Sequence, residues 1–363
     1  MIEYTDKNAL LLLNMVEGLG LKRRHRLLEA VPSPACLING DENYRADIIT
    51  VIGRDLYEKL QRLTENNAAS EELDRLYKAD IKVVTYLDGE YPEQLKEIYE
   101  FPTVLYCRGN ISLLKTRSIS VVGTRNPSRY GINVTRDFVS EFCRAGLTVV
   151  SGFARGIDSA AHKAAVELEA PTTAVIASGA DICYPAENRA LKDRILDTDG
   201  LIVSEYRLGT APAQFNFPER NRIISGLSEA LFVPEMKIKS GTMLTVNHAL
   251  EQGKNLFVVP SNINSPTGEG SNRLILTMQG CVALAPSDVL DKYGIDLDKK
   301  EKESYQLSLV EQQIIAALEK GTAHFEDLIE ITGLTVNGLQ TVVLEMEMND
   351  LIEKETGNFY ILK

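Results

Sequence analysis

Tryptophan is absent from this chain of 363 residues, and histidine (4) and cysteine (5) are scarce. The cysteines Cys36, Cys107, Cys143, Cys183 and Cys281 lie far apart and form no CxxC pair, so neither a disulfide framework nor a zinc site is indicated. The histidines are equally scattered, and no metal or cofactor is expected. Long apolar runs are missing too. A membrane span needs about eighteen consecutive apolar residues; the stretch from Ala9 to Val16 is short, is interrupted by Asn14 and follows Glu3 and Asp6 rather than a basic leader. A cytoplasmic protein is expected. Nucleotide fingerprints are missing as well: there is no Walker lysine motif, and the first glycine turn after an apolar strand, Gly123-Thr-Arg-Asn-Pro-Ser-Arg-Tyr-Gly131, is not GxGxxG.

What is present is enough for a large core, since 44% of the residues are hydrophobic, and the length suits two or three domains. The net charge of −12 is spread unevenly. Residues 1–117 carry 16 basic and 19 acidic side chains, residues 118–290 carry 16 and 17, and residues 301–363 carry 4 and 12. The middle of the chain is therefore close to neutral, and a cationic site can form there where arginines converge.

Residues 1–80 read as a helical domain. Gly18-Leu-Gly20, followed by Lys22, Arg23, Arg24 and Arg26, has the form of a helix-hairpin-helix, whose turn can offer N–H groups to a phosphate; a solvated basic helix face is the commoner reading of such a run. Short strands are expected at Lys82–Tyr86 and Thr103–Tyr106, around a helix led by Pro92, as a lead-in to the next domain. From Ser118 to about Tyr293 apolar runs alternate with helical stretches, the signature of a doubly wound, mostly parallel α/β sheet. The predicted strands are 118–123, 147–151, 172–178, 201–205, 230–234, 255–260 and 281–284. The second domain thus runs over 81–293. Residues 294–306, rich in Asp, Lys and Glu, read as a linker. Helical patterns at 308–319, 324–331 and 335–349, then a hairpin around Thr356-Gly357-Asn358, suggest a winged-helix module over 307–363. Its third helix carries Glu345 and Glu347, with Asp350 just after it, and no basic residue. Phosphate repulsion argues against groove docking, so a protein-contact or stabilising role is expected.

The chain is organised around Ser118-Ile-Ser-Val-Val-Gly-Thr-Arg125, a β-branched strand ending in a tight turn at Gly123 that delivers Arg125 to the carboxyl edge of the sheet, where open α/β sheets bind ligands. The second strand ends in Ser151-Gly152-Phe-Ala-Arg155-Gly156-Ile-Asp158-Ser-Ala-Ala-His162. Gly156 relaxes the turn, Asp158 is placed as an N-cap, and His162, on the same helix face, is expected to hydrogen-bond to it and order the turn. Arg155 should reach the same edge as Arg125. The third strand leads to a loop with Tyr184 and Asn188, and the fourth ends at Ser204-Glu205-Tyr206. Then Phe215-Asn-Phe217-Pro218-Glu-Arg220-Asn221-Arg222 sets an aromatic beside two arginines and an amide near a helix start, which suits an anion. A stacking face plus phosphate donors is what single-stranded nucleic acid requires; a core aromatic beside a solvated helix start would give the same residues. Ser240-Gly241-Thr242 opens a further helix with exposed N–H groups.

In order, GTR, SGFARGIDxxAH, YPxEN, SEY, FPERNRIISGLS and SGTMLT resemble the DNA-processing protein A (DprA/Smf) family over roughly residues 80–290, and the flanking SAM-like helical and winged-helix modules resemble those on many members. The resemblance implies an extended Rossmann-like domain that binds single-stranded DNA, acts as a homodimer, protects incoming DNA and helps load the RecA recombinase in transformation, without catalytic turnover. On matching positions it implies DNA contacts at Arg125, Phe217, Arg220, Asn221, Ser240, Gly241 and Thr242, and at Arg155 and Asn188; Arg222 joins them from its place at the helix start. Many members have lysine where this chain has Gln214 or Ala186, and each missing lysine removes a phosphate contact. The sixth strand is followed by Pro260-Ser261 where Pro-Gly is common. Two readings compete. One is a nucleotide-binding or nucleotide-hydrolysing enzyme of the phosphoribohydrolase-like Rossmann type, with Glu205 as its acid, although Ser240-Gly241-Thr242 reproduces only a fragment of that group's PGGxGTxxE turn. The other is a scaffold for protein contacts.

Overall fold

The computed structural model describes residues 5–39, 42–295, 307–319, 321–348 and 351–362. Its contacts divide the chain into two compact units, Met1–Ile295 and Asp296–Lys363.

The first unit opens with helices α1 (Asp6–Met15), α2 (Leu21–Glu29), α3 (Glu42–Ile52), α4 (Arg54–Glu65) and α5 (Ala68–Lys78). Four consecutive leucines, Leu10–Leu13, are fully buried in α1 and pack with Leu60, Leu76, Ile81, Val104 and Tyr106. A helix buried all round in this way is a core element rather than an amphipathic one. The helices of the first 80 residues therefore share a core with the strands that follow, and residue 80 is not a packing boundary.

Nine strands form one sheet: β1 (Lys82–Thr85), β2 (Val104–Gly109), β3 (Ser118–Val121), β4 (Thr148–Ser151), β5 (Thr172–Ile176), β6 (Leu201–Ser204), β7 (Ala230–Val233), β8 (Asn255–Val258) and β9 (Cys281–Val282), in the order β1-β2-β6-β5-β4-β3-β7-β8-β9. The β6-to-β9 portion is parallel throughout, whereas β1 and β2 pair antiparallel with each other and with β6. The lead-in strands thus extend the same sheet. The one-turn helix α6 (Glu93–Lys96) lies between β1 and β2; crossovers are supplied by α7 (Arg129–Arg144), α8 (Ile157–Glu167), α9 (Arg189–Asp197), α10 (Asn216–Gly226), α11 (Thr242–Glu251) and α12 (Glu269–Leu276), and α13 (Pro286–Leu290) follows β9.

Side-chain alternation along β7 assigns the two faces. Leu231 and Val233 pack with Ile223 and Ile224 of α10 and Val246 of α11. Phe232 points the other way and meets Phe138 and Phe142 of α7 at ring-centroid distances of 4.7 and 5.4 Å. The serines of β3 explain themselves here: Ser118 Oγ and Ser120 Oγ each donate, at 2.7 Å, to the carbonyls of Leu227 and Ile224 at the carboxyl end of α10. Two buried hydroxyls therefore lock α10, the helix of the FPERNR stretch, against the central strand. Four of the strand predictions overshoot by two residues, because Val122 and Gly123, Ala177 and Ser178, Val259 and Pro260, and Ala283 and Leu284 follow β3, β5, β8 and β9 outside the strands, although Val122, Ala177, Ser178, Val259 and Ala283 are still buried.

In the second unit Ser308 and Glu311 form a capping box at the start of α14 (Leu309–Leu318), with the Ser308 N–H donating to Glu311 at 2.7 Å. Helices α15 (Phe325–Thr332) and α16 (Val336–Met348) follow, then the hairpin β11 (Ile352–Glu355) and β12 (Phe359–Leu362). A short strand, β10 (Ala323–His324), pairs with β12 and completes a three-stranded wing sheet. Ile314, Leu318, Leu328, Leu339, Val343, Ile352 and Tyr360 form its core. Most of the predicted linker, residues 296–306, and Asp350 lie outside the described residues.

Candidate nucleic-acid interface

The turn after β3 is fixed by its backbone. The Thr124 N–H donates to Glu235 O at 2.9 Å, Thr124 O accepts from the Ile157 N–H at 3.2 Å, and Thr242 Oγ1 donates to Gly123 O at 2.8 Å. A Cβ at Gly123 would lie 2.5 Å from the Ile157 side chain and 2.8 Å from Glu235 O, so only glycine allows this approach. Gly156, at φ +79°, sits against Thr124 and Arg125, where a Cβ would be 2.3 Å from Thr124 O. The two glycines press the β3 and β4 turns together and leave Arg125 exposed on the sheet edge.

From there Arg125 reaches over Phe217, with its guanidinium carbon 5.7 Å from the ring centroid. Tyr184, half exposed, tilts against that ring, with the centroids 5.8 Å apart. Tyr184 belongs to a loop held by Lys192, whose buried ammonium donates to Ala180 O at 2.7 Å and Ile182 O at 3.0 Å. The Arg125–Phe217 pair borders a groove of about 590 Å³ that runs past Gln214 and Asn221 to Lys237, Lys239 and Ser240-Gly241-Thr242 at the start of α11. A narrower slot beside it is lined by Gly152, Phe153, Ser178, Tyr184 and Phe217.

Sequence reasoning brought Arg125, Phe217, Asn221, Ser240, Gly241 and Thr242 to this groove, and all of them line it. It missed Lys237, Lys239 and Tyr184 as contributors. The two lysines alternate just before Ser240, a pattern visible in Lys237-Ile-Lys239-Ser240, and both are exposed. They place cations beside the groove that Gln214 does not supply.

Other predicted residues have different surroundings. Arg220 touches the groove but is only 4% exposed; its Nη1 donates to the carbonyls of Gly152 and Val175, and its Nε donates to Asn221 at 3.2 Å. Burial lowers its pKa to about 10, and the nearby Asp158 opposes that shift, so it stays charged at neutral pH. Arg222 does not line this groove. It is 5% exposed and binds both oxygens of Glu205 at 2.8 Å. Asn188 is buried and donates to Phe153 O and Ser159 Oγ, tying the third loop to the second. Arg155 is exposed and paired with Glu187, its Nη2 donating at 2.6 Å.

Two expectations about the β4 turn are corrected. Gly156, not Asp158, is the N-cap of α8; Asp158 is the second helical residue, accepting from the Ala154 N–H at 3.4 Å. Burial raises the Asp158 pKa against the pull of the Arg220 charge. His162 does not bond to Asp158, because it sits over the sheet with Nδ1 2.9 Å from Thr172 Oγ1. Burial, aided by the Arg220 charge, pushes the His162 pKa down to about 3. The unfolded chain then takes up a proton that the folded chain refuses. Stability is expected to be intact above about pH 6.5 and to fall by roughly 1.4 kcal/mol per pH unit below it, from this residue alone. Thermal melts of wild type and His162→Gln between pH 7 and 5 check this: the variant should show the shallower slope.

Glu205 was the acid of the competing enzyme reading. Both of its oxygens are engaged by Arg222, and it is absent from the walls of the Arg125–Phe217 groove. Glu205→Gln is expected to cost about 3–5 kcal/mol of stability by leaving a buried arginine without its counter-charge, with no loss of oligonucleotide affinity at the groove. Melting and anisotropy measured on one preparation separate the two effects.

An open, mostly parallel sheet with cations and an aromatic at its carboxyl edge, in a chain with a separate winged-helix unit, places this chain among Rossmann-like α/β proteins that bind ligands at that edge. The family is specific. Residues 82–294 match the family model of DNA recombination-mediator protein A, and residues 298–358 match that of the DprA winged helix domain. The chain belongs to the DprA/Smf family. It is 42% identical over 205 residues to DNA processing protein DprA of Bacillus subtilis, covering 56% of this chain and 68% of the relative. It is 33% identical over 283 residues to protein Smf of Escherichia coli, covering 75% of each. The X-ray structure of DprA from Streptococcus pneumoniae superposes with a TM-score of 0.67 at 32% identity, covering 78% of this chain and 97% of the other. DNA processing protein A from Helicobacter pylori, whose structure is described for its single-stranded DNA binding mode, superposes with a TM-score of 0.54 at 28% identity, covering 59% of this chain and 97% of the other.

Proposed function

We propose that this protein binds single-stranded DNA along the carboxyl edge of its parallel sheet, with bases stacking at Phe217 and Tyr184 and phosphates meeting Arg125, Lys237, Lys239 and the amino end of α11. The observation that carries this reading is the Arg125–Phe217 contact at the mouth of the groove, a stacking face next to a cation. The relative from Helicobacter pylori, described for single-stranded DNA binding, supports it. Arg220, Arg222, Asn188 and Asp158 then act behind the surface, holding the loops that present the contacts.

The physiological role that fits is a cytoplasmic mediator that protects incoming single strands and helps load RecA, without catalytic turnover. Among the described residues no helix is long and apolar enough to cross a membrane. A homodimer would use the far edge of the sheet: both residues of β9 are exposed, and Leu276, Met278 and Leu284 beside it are 71%, 93% and 74% exposed. An unpaired edge strand flanked by apolar side chains is a pairing surface.

The test is an anisotropy titration with labelled oligothymidylate at two salt concentrations, with nucleoside monophosphate hydrolysis followed in parallel. Binding that weakens with salt, and no release of free base, is expected. Absent binding at low salt, or base release abolished by Glu205→Gln, would overturn the proposal.

A further inference from the structure

A single buried acid behind the groove closes the turn that carries Arg125. Thr124 and Ser128 flank Arg125, Asn126 and Pro127, and both bond to Glu235: the Thr124 N–H donates to Glu235 O at 2.9 Å, and the Ser128 N–H and Oγ donate to the two carboxylate oxygens at 2.8 Å each. The turn is thus a ring with Glu235 as its clasp. From that clasp the chain runs on through Met236 to Lys237 and Lys239, which stand exposed beside the groove. A third segment joins them, since Thr267 Oγ1, in the connection after β8, donates to the same carboxylate.

Glu235 is fully buried, and among the described residues no lysine, arginine or histidine pairs with it; its carboxylate partners are the neutral donors of Ser128 and Thr267. Burying a carboxylate is costly, and an apolar side chain of similar volume often packs in such a place with no loss of stability. An apolar side chain cannot hold a direction. Three donors from two loops converge on the two oxygens of Glu235, so the carboxylate fixes where both loops stand relative to Lys237. Gly131, in the first turn of α7, makes room for it, because a Cβ there would collide with the carboxylate. The clasp itself is anchored from α12: the Gly270 N–H donates to Met236 O at 2.9 Å, and the Met236 N–H donates to Ser271 Oγ at 3.0 Å.

A single strand presents its phosphates at intervals set by the sugar–phosphate backbone, so cations on separate loops meet them together only where the loops are held in register. We propose that Glu235 is a positioning residue for single-strand binding: its carboxylate sets the spacing between Arg125 on one loop and Lys237 and Lys239 on the next, so that these cations engage phosphates of the same strand. This rests on the single-strand reading of the groove and adds the residue that spaces its charges. The sign of the effect is diagnostic. By Coulomb attraction alone, deleting an anion near the groove would strengthen phosphate binding, whereas loss of register weakens it.

The experiment titrates labelled oligothymidylate by anisotropy at several salt concentrations, well below each melting midpoint, against full-length wild type, Glu235→Ala, Glu235→Gln, Arg125→Ala and Arg125→Ala/Glu235→Ala. Glu235→Ala should lose about tenfold in affinity, together with about 0.7 of salt slope, one phosphate contact, although it removes no cation. In the Arg125→Ala background the same change should have no further effect. Glu235→Gln keeps an acceptor for the Ser128 N–H, and its amide can donate to the two hydroxyls, so it should bind at least as tightly as wild type. A role in stability alone would lower the melting temperature and leave the slope unmoved. Should Glu235→Ala fail to fold, Gly131→Ala, which displaces the carboxylate while adding a better helix former, should show the same loss of slope. An unchanged slope in the folded variant, or losses that add to those of Arg125→Ala, overturns the positioning role alone; failure of wild type to bind the oligomer overturns the single-strand reading beneath it.

Discussion

Phe217→Ala is expected to weaken binding of oligothymidylate by roughly 5- to 150-fold, the ~1–3 kcal/mol that one stacked base contributes. The ring is half-buried and touches both Arg125 and Tyr184, at 5.7 and 5.8 Å from its centroid, so it is held in place before any base arrives. Pre-ordering of that kind spares the cost of immobilising a side chain on binding. The variant removes no charge, and the slope of log affinity against log salt should stay that of wild type. Arg125→Ala should behave differently, losing affinity together with about 0.7 of salt slope. Phe217→Tyr keeps a stacking face and should bind nearly as wild type. An alanine variant with unaltered affinity would place the bases elsewhere.

Arg220→Met should act on stability instead. The arginine lies under the groove, bonded to the carbonyls of Gly152 at the end of the β4 turn and Val175 in β5, with the buried Asp158 as its nearest opposing charge. Removing it strands a carboxylate in a dry setting and leaves two carbonyls without a donor. Breaking a buried pair from one side costs about 3–5 kcal/mol, which for a unit of this size lowers the melting temperature by on the order of 10 °C. Asp158→Asn/Arg220→Met should recover much of that loss, because two neutral groups need no partner charge. Measured affinity will also fall for the single variant, through disorder of the loops. The double variant separates this from a direct phosphate contact: recovered stability with recovered binding identifies a brace, whereas recovered stability with binding still lost identifies a contact.

The different fates of Arg220 and Arg222 show where sequence reading reaches its limit. Both follow the FP pair near a helix start, and composition alone makes both candidate phosphate ligands. Two residues along a helix turn the side chain by about 200°, so one faces the groove wall and the other faces Glu205. Which face meets the groove depends on how α10 is docked, and that is fixed by Ser118 and Ser120, a hundred residues upstream. The strands were legible because buried parallel strands read as unbroken apolar runs. That β1 and β2 extend the same sheet antiparallel was not, because strand pairing leaves no local mark. Asp158 and His162 have the spacing of a bonded pair, but Asp158 is drawn to the Ala154 N–H and the Arg220 charge and His162 to a threonine on β5. Lys237 and Lys239 were overlooked because they sit in a connection with no periodic pattern, and only the fold brings it beside Arg125.

Ultraviolet crosslinking of oligothymidylate to the full-length protein, with the modified peptides mapped by mass spectrometry, tests the central claim most directly. Crosslinks at Phe217 and Tyr184, lost when Arg125→Ala is used at the same concentration, are the predicted result. Crosslinks confined to the winged-helix unit, or none at either aromatic while the oligonucleotide is bound, would contradict it.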